Sequence, residues 1–112
     1  MRAVKLFVIN FRNGAKVNRA ADWLKMAERD LGYAELGAAS GYHEGAAFHA
    51  QQSAEKAVKA LVLSLHGAVR GHAITEIVLQ LPASLKVPSE ILNAAQQLDQ
   101  VYVTSPYPNG FA

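Results

Sequence analysis

The chain has 112 residues, 51% of them hydrophobic, with one tryptophan and no cysteine, which is enough for one domain around a single core and excludes a disulfide scaffold, a thiol nucleophile and a Cys-ligated zinc. Its formal charge is +2, but residues 1–17 carry Arg2, Lys5, Arg12 and Lys16 and no acid, so the remainder, with seven basic and nine acidic side chains, is net −2 and composition gives no reason to expect a general phosphate binder. No run approaches the ~18 apolar residues of a membrane span, and the absence of cysteine fits a reducing, cytoplasmic setting.

Residues 1–17 read as an N-terminal arm ahead of a helical domain over 18–112. The run Ala3–Phe11 is rich in β-branched and aromatic residues and precedes Asn13-Gly14, a hairpin-type pair, so a short extended arm is one expectation. The other is that the natural start is a GUG codon at Val17 and the arm is upstream sequence. From Asn18 the period becomes helical. Ala20, Leu24, Ala27, Leu31, Ala34 and Ala38 form one apolar stripe, with Asn18 as N-cap and Ser40-Gly41 as the stop. A second helix is expected from Tyr42 to His66, its inward stripe Ala47, Ala50, Ala54, Ala57, Leu61 and Leu65, ending at Gly67. So much alanine lets helix axes approach toward the short end of the usual range of about 8–10 Å. A third helix is expected over His72–Leu81, stopped by Pro82, with Ile74, Ile77, Val78 and Leu81 inward. The fourth starts near Pro88-Ser89-Glu90 and buries Ile91, Ala95, Leu98 and Tyr102, and Pro106 and Pro108 end it. Short loops make neighbours antiparallel, so the fold class is all-α, an up-and-down bundle of four main helices. The tail after them is turn-rich. It lies along the bundle, or a further helix follows it in a longer chain.

The second helix carries the richest polar pattern, Phe48 to Leu61. Gln52, Glu55, Lys56 and Lys59 fall opposite the alanine stripe, and Glu55–Lys59 is an i,i+4 pair in the favourable order, worth about 0.3–0.5 kcal/mol on an exposed helix. Two readings stand side by side: a solvated face, or a surface meeting a groove, an anionic ligand or a second subunit. Val58 and Val62 beside it suggest a dimer contact. Histidines 43 and 49 are six apart and off one face, and no HExxH or carboxylate cluster accompanies them, so no metal site and no cofactor is expected. His72, just after Arg70, reads either as the cap of the third helix or as a proton-transfer group with an arginine beside it for phosphate, a pairing suited to metal-independent RNA cleavage. There is no GxSxG and no glycine-rich phosphate loop. Trp23 and Tyr33 read as core or interface anchors.

Several phrases together resemble the HEPN family of small helical domains. They are Trp23-Leu24…Ala27…Asp30-Leu31…Ala34, then Phe48-x-x-Gln51-Gln52-x-Ala54-Glu55-Lys56-x-x-Lys59-Ala60, the short helix opened by His72, and Leu98-Asp99…Tyr102…Tyr107-Pro108. The resemblance spans about residues 18–109. It implies an antiparallel helical bundle that commonly forms a homodimer, a nucleotide-binding role, and frequent pairing with a small nucleotidyltransferase encoded nearby. Some such pairs act as toxin and antitoxin, the helical member being an RNase with an Arg-x(4–6)-His motif. Here Arg70 lies only two residues before His72, and no arginine stands at the motif's spacing before any of the four histidines. Pro106 replaces the arginine common before the final Tyr-Pro, and Asn109 the aspartate common after it. The expected function is therefore a HEPN-like binding module for a nucleotide or a nucleotidyltransferase-type partner. Gln52, Glu55, Lys56, Lys59, Tyr102 and Tyr107 would line its groove. The alternatives are an RNase toxin using His72 with Arg70, or a purely structural interaction domain.

Overall fold

The computed structural model describes Lys5, residues 19–65 and residues 67–104, of which 102–104 through their backbone alone. The ordered elements are α1 (Ala20–Ala39), α2 (His43–Ser64), α3 (Ile74–Val78), a 3-10 turn (Ala83–Leu85) and α4 (Ser89–Thr104). The described residues contain no strand. Lys5 has helical backbone and pairs with Glu35 of α1 at 3.3 Å, so the arm is not extended at that point. The rest of the arm, the expected cap Asn18 and the tail from 105 onward lie outside the described residues.

The stop of α1 follows from its last residues. Gly41 sits at φ +85°, Tyr42 N–H donates to the Gly37 carbonyl at 2.8 Å, and Gly41 N–H donates to the Ala38 carbonyl at 3.3 Å. These are the two bonds of a Schellman motif, and its left-handed residue is the position where a missing Cβ costs nothing. The chain turns in three residues and α2 runs back antiparallel. The register shows in the cross-helix partners: Trp23 meets Lys59, the Ala27 carbonyl accepts the Ser53 hydroxyl at 2.6 Å, Asp30 meets Lys56 and His49, and a Cβ at Gly37 would lie 3.4 Å from that of Ala46. Such close approach is possible because Ala20, Ala27, Ala34, Ala46, Ala50, Ala54 and Ala57 face the seam, all buried.

The third helix is shorter than its periodicity predicts. Ile74 and Thr75 donate their backbone N–H groups to the two oxygens of Asp99 on α4, at 2.7 and 3.1 Å. That carboxylate fixes the start at Ile74 and supplies the cap, so His72 does not cap α3 as the sequence suggested. After Val78 the bonding tightens to Gln80 N–H on Ile77 O and Leu81 N–H on Val78 O, and Pro82 ends the helix. Ile74, Ile77 and Val78 are buried as expected, and Leu81 packs partly buried against the same core.

Helix α2 is the centre of the molecule. It packs against α1, α3 and α4, whereas the backbones of α1 and α4 do not approach closely among the described residues. Val58 and Val62 consequently lie in the core with Ile74, Ile77, Ile91 and Leu98. The sequence left them as flanks for a dimer contact; instead α3 and α4 cover them within the chain.

Candidate functional site

The polar residues of α2 reach two different neighbours: Lys56 and Lys59 meet Asp30 and Trp23 of α1, whereas Glu55 meets His72 of the loop that leads to α3. Gln51, Glu55 and Lys59 recur every four residues, with Gln51 and Glu55 on the stripe that continues into Val58 and Val62, and Gln52 and Lys56 form the adjacent column. Glu55 is 6% exposed, Lys59 9% and Gln51 not at all. The solvated-face reading is thereby corrected for Glu55 and Lys59, which are buried and must find their partners inside the protein.

They find them in a connected set. Gln52 Nε2 donates to Gln51 Oε1 at 2.8 Å, and Gln51 Nε2 donates to Glu55 Oε1 at 3.2 Å. The other Glu55 oxygen, Oε2, accepts Lys59 Nζ at 2.7 Å and lies 3.5 Å from Nδ1 of His72. Lys59 Nζ also stands 5.6 Å from the centre of the Trp23 ring, within cation–π range. One turn along the seam, Asp30 of α1 accepts Lys56 Nζ and Nδ1 of His49, the latter at 3.0 Å. Lys56 is thus committed to Asp30, and Glu55 and Lys59 to one another.

Two concavities flank this seam. An open cavity of about 430 Å³ is lined by Arg19, Trp23, Lys59, Leu63 and Val69. That volume lies in the range of small-molecule sites, roughly 300–1,000 Å³. Its chemistry is an aromatic and aliphatic wall with two cations. A groove of about 330 Å³ lies at the hairpin end, with Tyr33, Leu36, Tyr42 and His49 on its walls. The first three are exposed, and the Tyr33 and His49 rings are 5.4 Å apart.

Beside the first cavity runs the loop 67–73, which carries Val69, Arg70 and His72. Gln80 grips the backbone of Arg70 at both ends: its Nε2 donates to Arg70 O at 2.7 Å and its Oε1 accepts Arg70 N–H at 3.3 Å. Gly71 stands at φ +82°, and a Cβ there would fall within van der Waals overlap of Glu76 Oε1, so the turn requires glycine. Arg70 is exposed, and the His72 side chain is 70% exposed. Tyr102 is helical in backbone, but its side chain and all of Tyr107 lie outside the described residues. Among the described residues no group of histidines and carboxylates could hold a metal ion, and no helix is long and apolar enough to cross a membrane.

Asp30, His49, Gln51 and Asp99 carry roles that sequence reasoning did not assign. A usable signal exists for Asp30. It falls at i+3 from Ala27 and i−4 from Ala34, a charge in register with the apolar stripe, which demands a buried partner.

The architecture is a helical module organised around one central helix, with a buried polar seam and an aromatic cavity at its edge. The HEPN domain family profile matches residues 20–112. The crystal structure of ST0689, an archaeal HEPN homologue, is 41% identical, covers 86% of this chain and 74% of its own, and superposes with a TM-score of 0.68. Among curated proteins none matches the chain. The chain belongs to the HEPN domain family.

Proposed function

We propose that this HEPN domain is a binding module for a nucleotide, held in the cavity between Trp23, Arg19 and Lys59. The observation that carries the reading is the pairing of an aromatic face and two cations in one open cavity: Trp23 offers a surface for a base, and Arg19 and Lys59 offer charge for phosphate. Leu63 and Val69 complete an apolar wall, as small-ligand sites require. Of the four α2 residues expected to line a groove, Lys59 borders this cavity, Glu55 acts on it through Lys59, and Gln52 and Lys56 belong to the supporting seam.

Trp23 is the single tryptophan, so its fluorescence reports the cavity directly. Titration with ATP is expected to quench it with a saturable curve at micromolar strength, about −8 kcal/mol. Arg19→Ala should weaken that binding. A flat signal up to millimolar ATP, with no heat by calorimetry, refutes the site.

A protein partner of nucleotidyltransferase type is the second reading, and the groove of Tyr33, Leu36, Tyr42 and His49 favours it, since exposed aromatic and aliphatic residues in one concavity mark contact surfaces. A second copy of the chain is an equally suitable occupant of that groove. Co-purification with the neighbouring gene product, and light scattering on the protein alone, separate the two. RNA cleavage by His72 with Arg70 draws support from the Glu55 oxygen that lies 3.5 Å from the imidazole Nδ1. Unchanged RNA turnover in His72→Ala removes that reading.

A further inference from the structure

We propose that Lys59 and His72 compete for one oxygen of Glu55, so that an anion entering the cavity draws the 67–73 loop down over it. The inference rests on the ligand site just proposed and adds its regulation. Glu55 Oε2 is the point of competition, with Lys59 Nζ at 2.7 Å and His72 Nδ1 at 3.5 Å. The first is a full charge-assisted bond and the second is slack by more than half an ångström against a bond of that kind. Since the carboxylate oxygen only accepts, Nδ1 is the ring nitrogen that carries hydrogen in this contact. Glu55 is buried, and a buried carboxylate without a partner is strongly unfavourable. Lys59 is the partner it has, and Lys59 is also a cation of the cavity wall.

The consequence is a choice between two arrangements. With the cavity empty, Lys59 holds Glu55 and the imidazole stays mostly in solvent. A phosphate that takes over the ammonium leaves Oε2 open, and His72 is the donor within reach to close on it. The His72 side chain can move because it is 70% exposed. Gln80 pins the loop further back, at the Arg70 backbone. Val69 lies on the same loop and lines the cavity, so a loop drawn toward Glu55 narrows the mouth above the ligand. By reciprocity, docking of His72 releases Lys59 for the anion and strengthens binding by the same factor.

Amide hydrogen exchange of residues 67–73 in the full chain tests the competition. Lys59→Met is expected to slow exchange in the loop roughly two- to fivefold, and Glu55→Gln to speed it by a similar factor, the range of a partly exposed ionic contact. Unchanged loop exchange in a folded Lys59→Met overturns the proposal. ATP added to the wild type should act as Lys59→Met does, and ATP added to Glu55→Gln should bind without slowing the loop. ATP that quenches Trp23 in the wild type yet leaves loop exchange untouched overturns the coupling and leaves the binding site standing. ATP that fails to bind removes the binding site, while Lys59→Met still decides the competition. Should Lys59→Met fail to fold, His72→Ala, an exposed change, takes its place. Loss of the competing donor should seat Lys59 more firmly and alter Trp23 emission in the unliganded protein, and identical emission overturns the proposal.

Discussion

Asp99→Ala tests the junction that holds the second half of the molecule together. In the native chain its two oxygens accept the N–H groups of Ile74 and Thr75, at 2.7 and 3.1 Å. Both donors open a helix whose first residue, Ile74, is completely buried, so water cannot easily replace the lost acceptors. A capping side chain is worth about 0.5–2 kcal/mol and a hydrogen bond to a charged group about 1.5–3 kcal/mol, which places the loss of two such bonds at about 2–4 kcal/mol. Against a domain stability of about 5–15 kcal/mol this is a large fraction. Urea unfolding followed by circular dichroism is the assay. With a slope of about 1–3 kcal/mol per molar urea, the midpoint should fall by about 0.7–4 M at an unchanged slope. Asp99→Asn keeps one acceptor oxygen and should lose about half as much. A midpoint shift for Asp99→Ala equivalent to less than about 0.5 kcal/mol would refute the claim that this carboxylate sets the start of α3, because that is the scatter of ordinary surface changes.

Three further outcomes are expected. A double-mutant cycle of Asp30→Asn and Lys56→Met should give a coupling of about 1–3 kcal/mol in thermal or urea unfolding, since the two meet at a mostly buried seam, and strict additivity would contradict the pairing. Gly41→Ala should destabilise by about 1 kcal/mol or more, because Gly41 holds φ +85° in the α1 stop; equal or greater stability would show that the turn relaxes. Gln80→Ala should speed amide exchange at Arg70 while leaving that of α1 and α2 unchanged, since the side chain is exposed and bonds only the Arg70 backbone and the Glu76 carbonyl of α3. Uniform acceleration across the protein would instead make Gln80 a global stabiliser.

Where a local rule governs, the amino-acid order decided the structure unaided. The alanine and leucine spacing of α1, the Ser40-Gly41 stop, the proline at the head of α4 and the inward Ile74, Ile77 and Val78 all follow from helix period and capping chemistry, which act within a few residues. The same period placed Gln52, Glu55, Lys56 and Lys59 on one face correctly, yet could not say what that face looks at. A helical wheel defines angles about one axis and carries no information on which neighbour lies across it. Only the antiparallel packing of α1 brought Asp30 to Lys56 and Trp23 to Lys59, and only the path of the 67–73 loop brought His72 to Glu55. Docking of α4 likewise supplied Asp99 to a helix start 25 residues earlier and shortened α3, and the covering of Val58 and Val62 by α3 and α4 removed them as free surface. Secondary structure here is a property of short-range spacing. The polar contacts of the candidate site are properties of long-range register, which the tertiary fold alone sets.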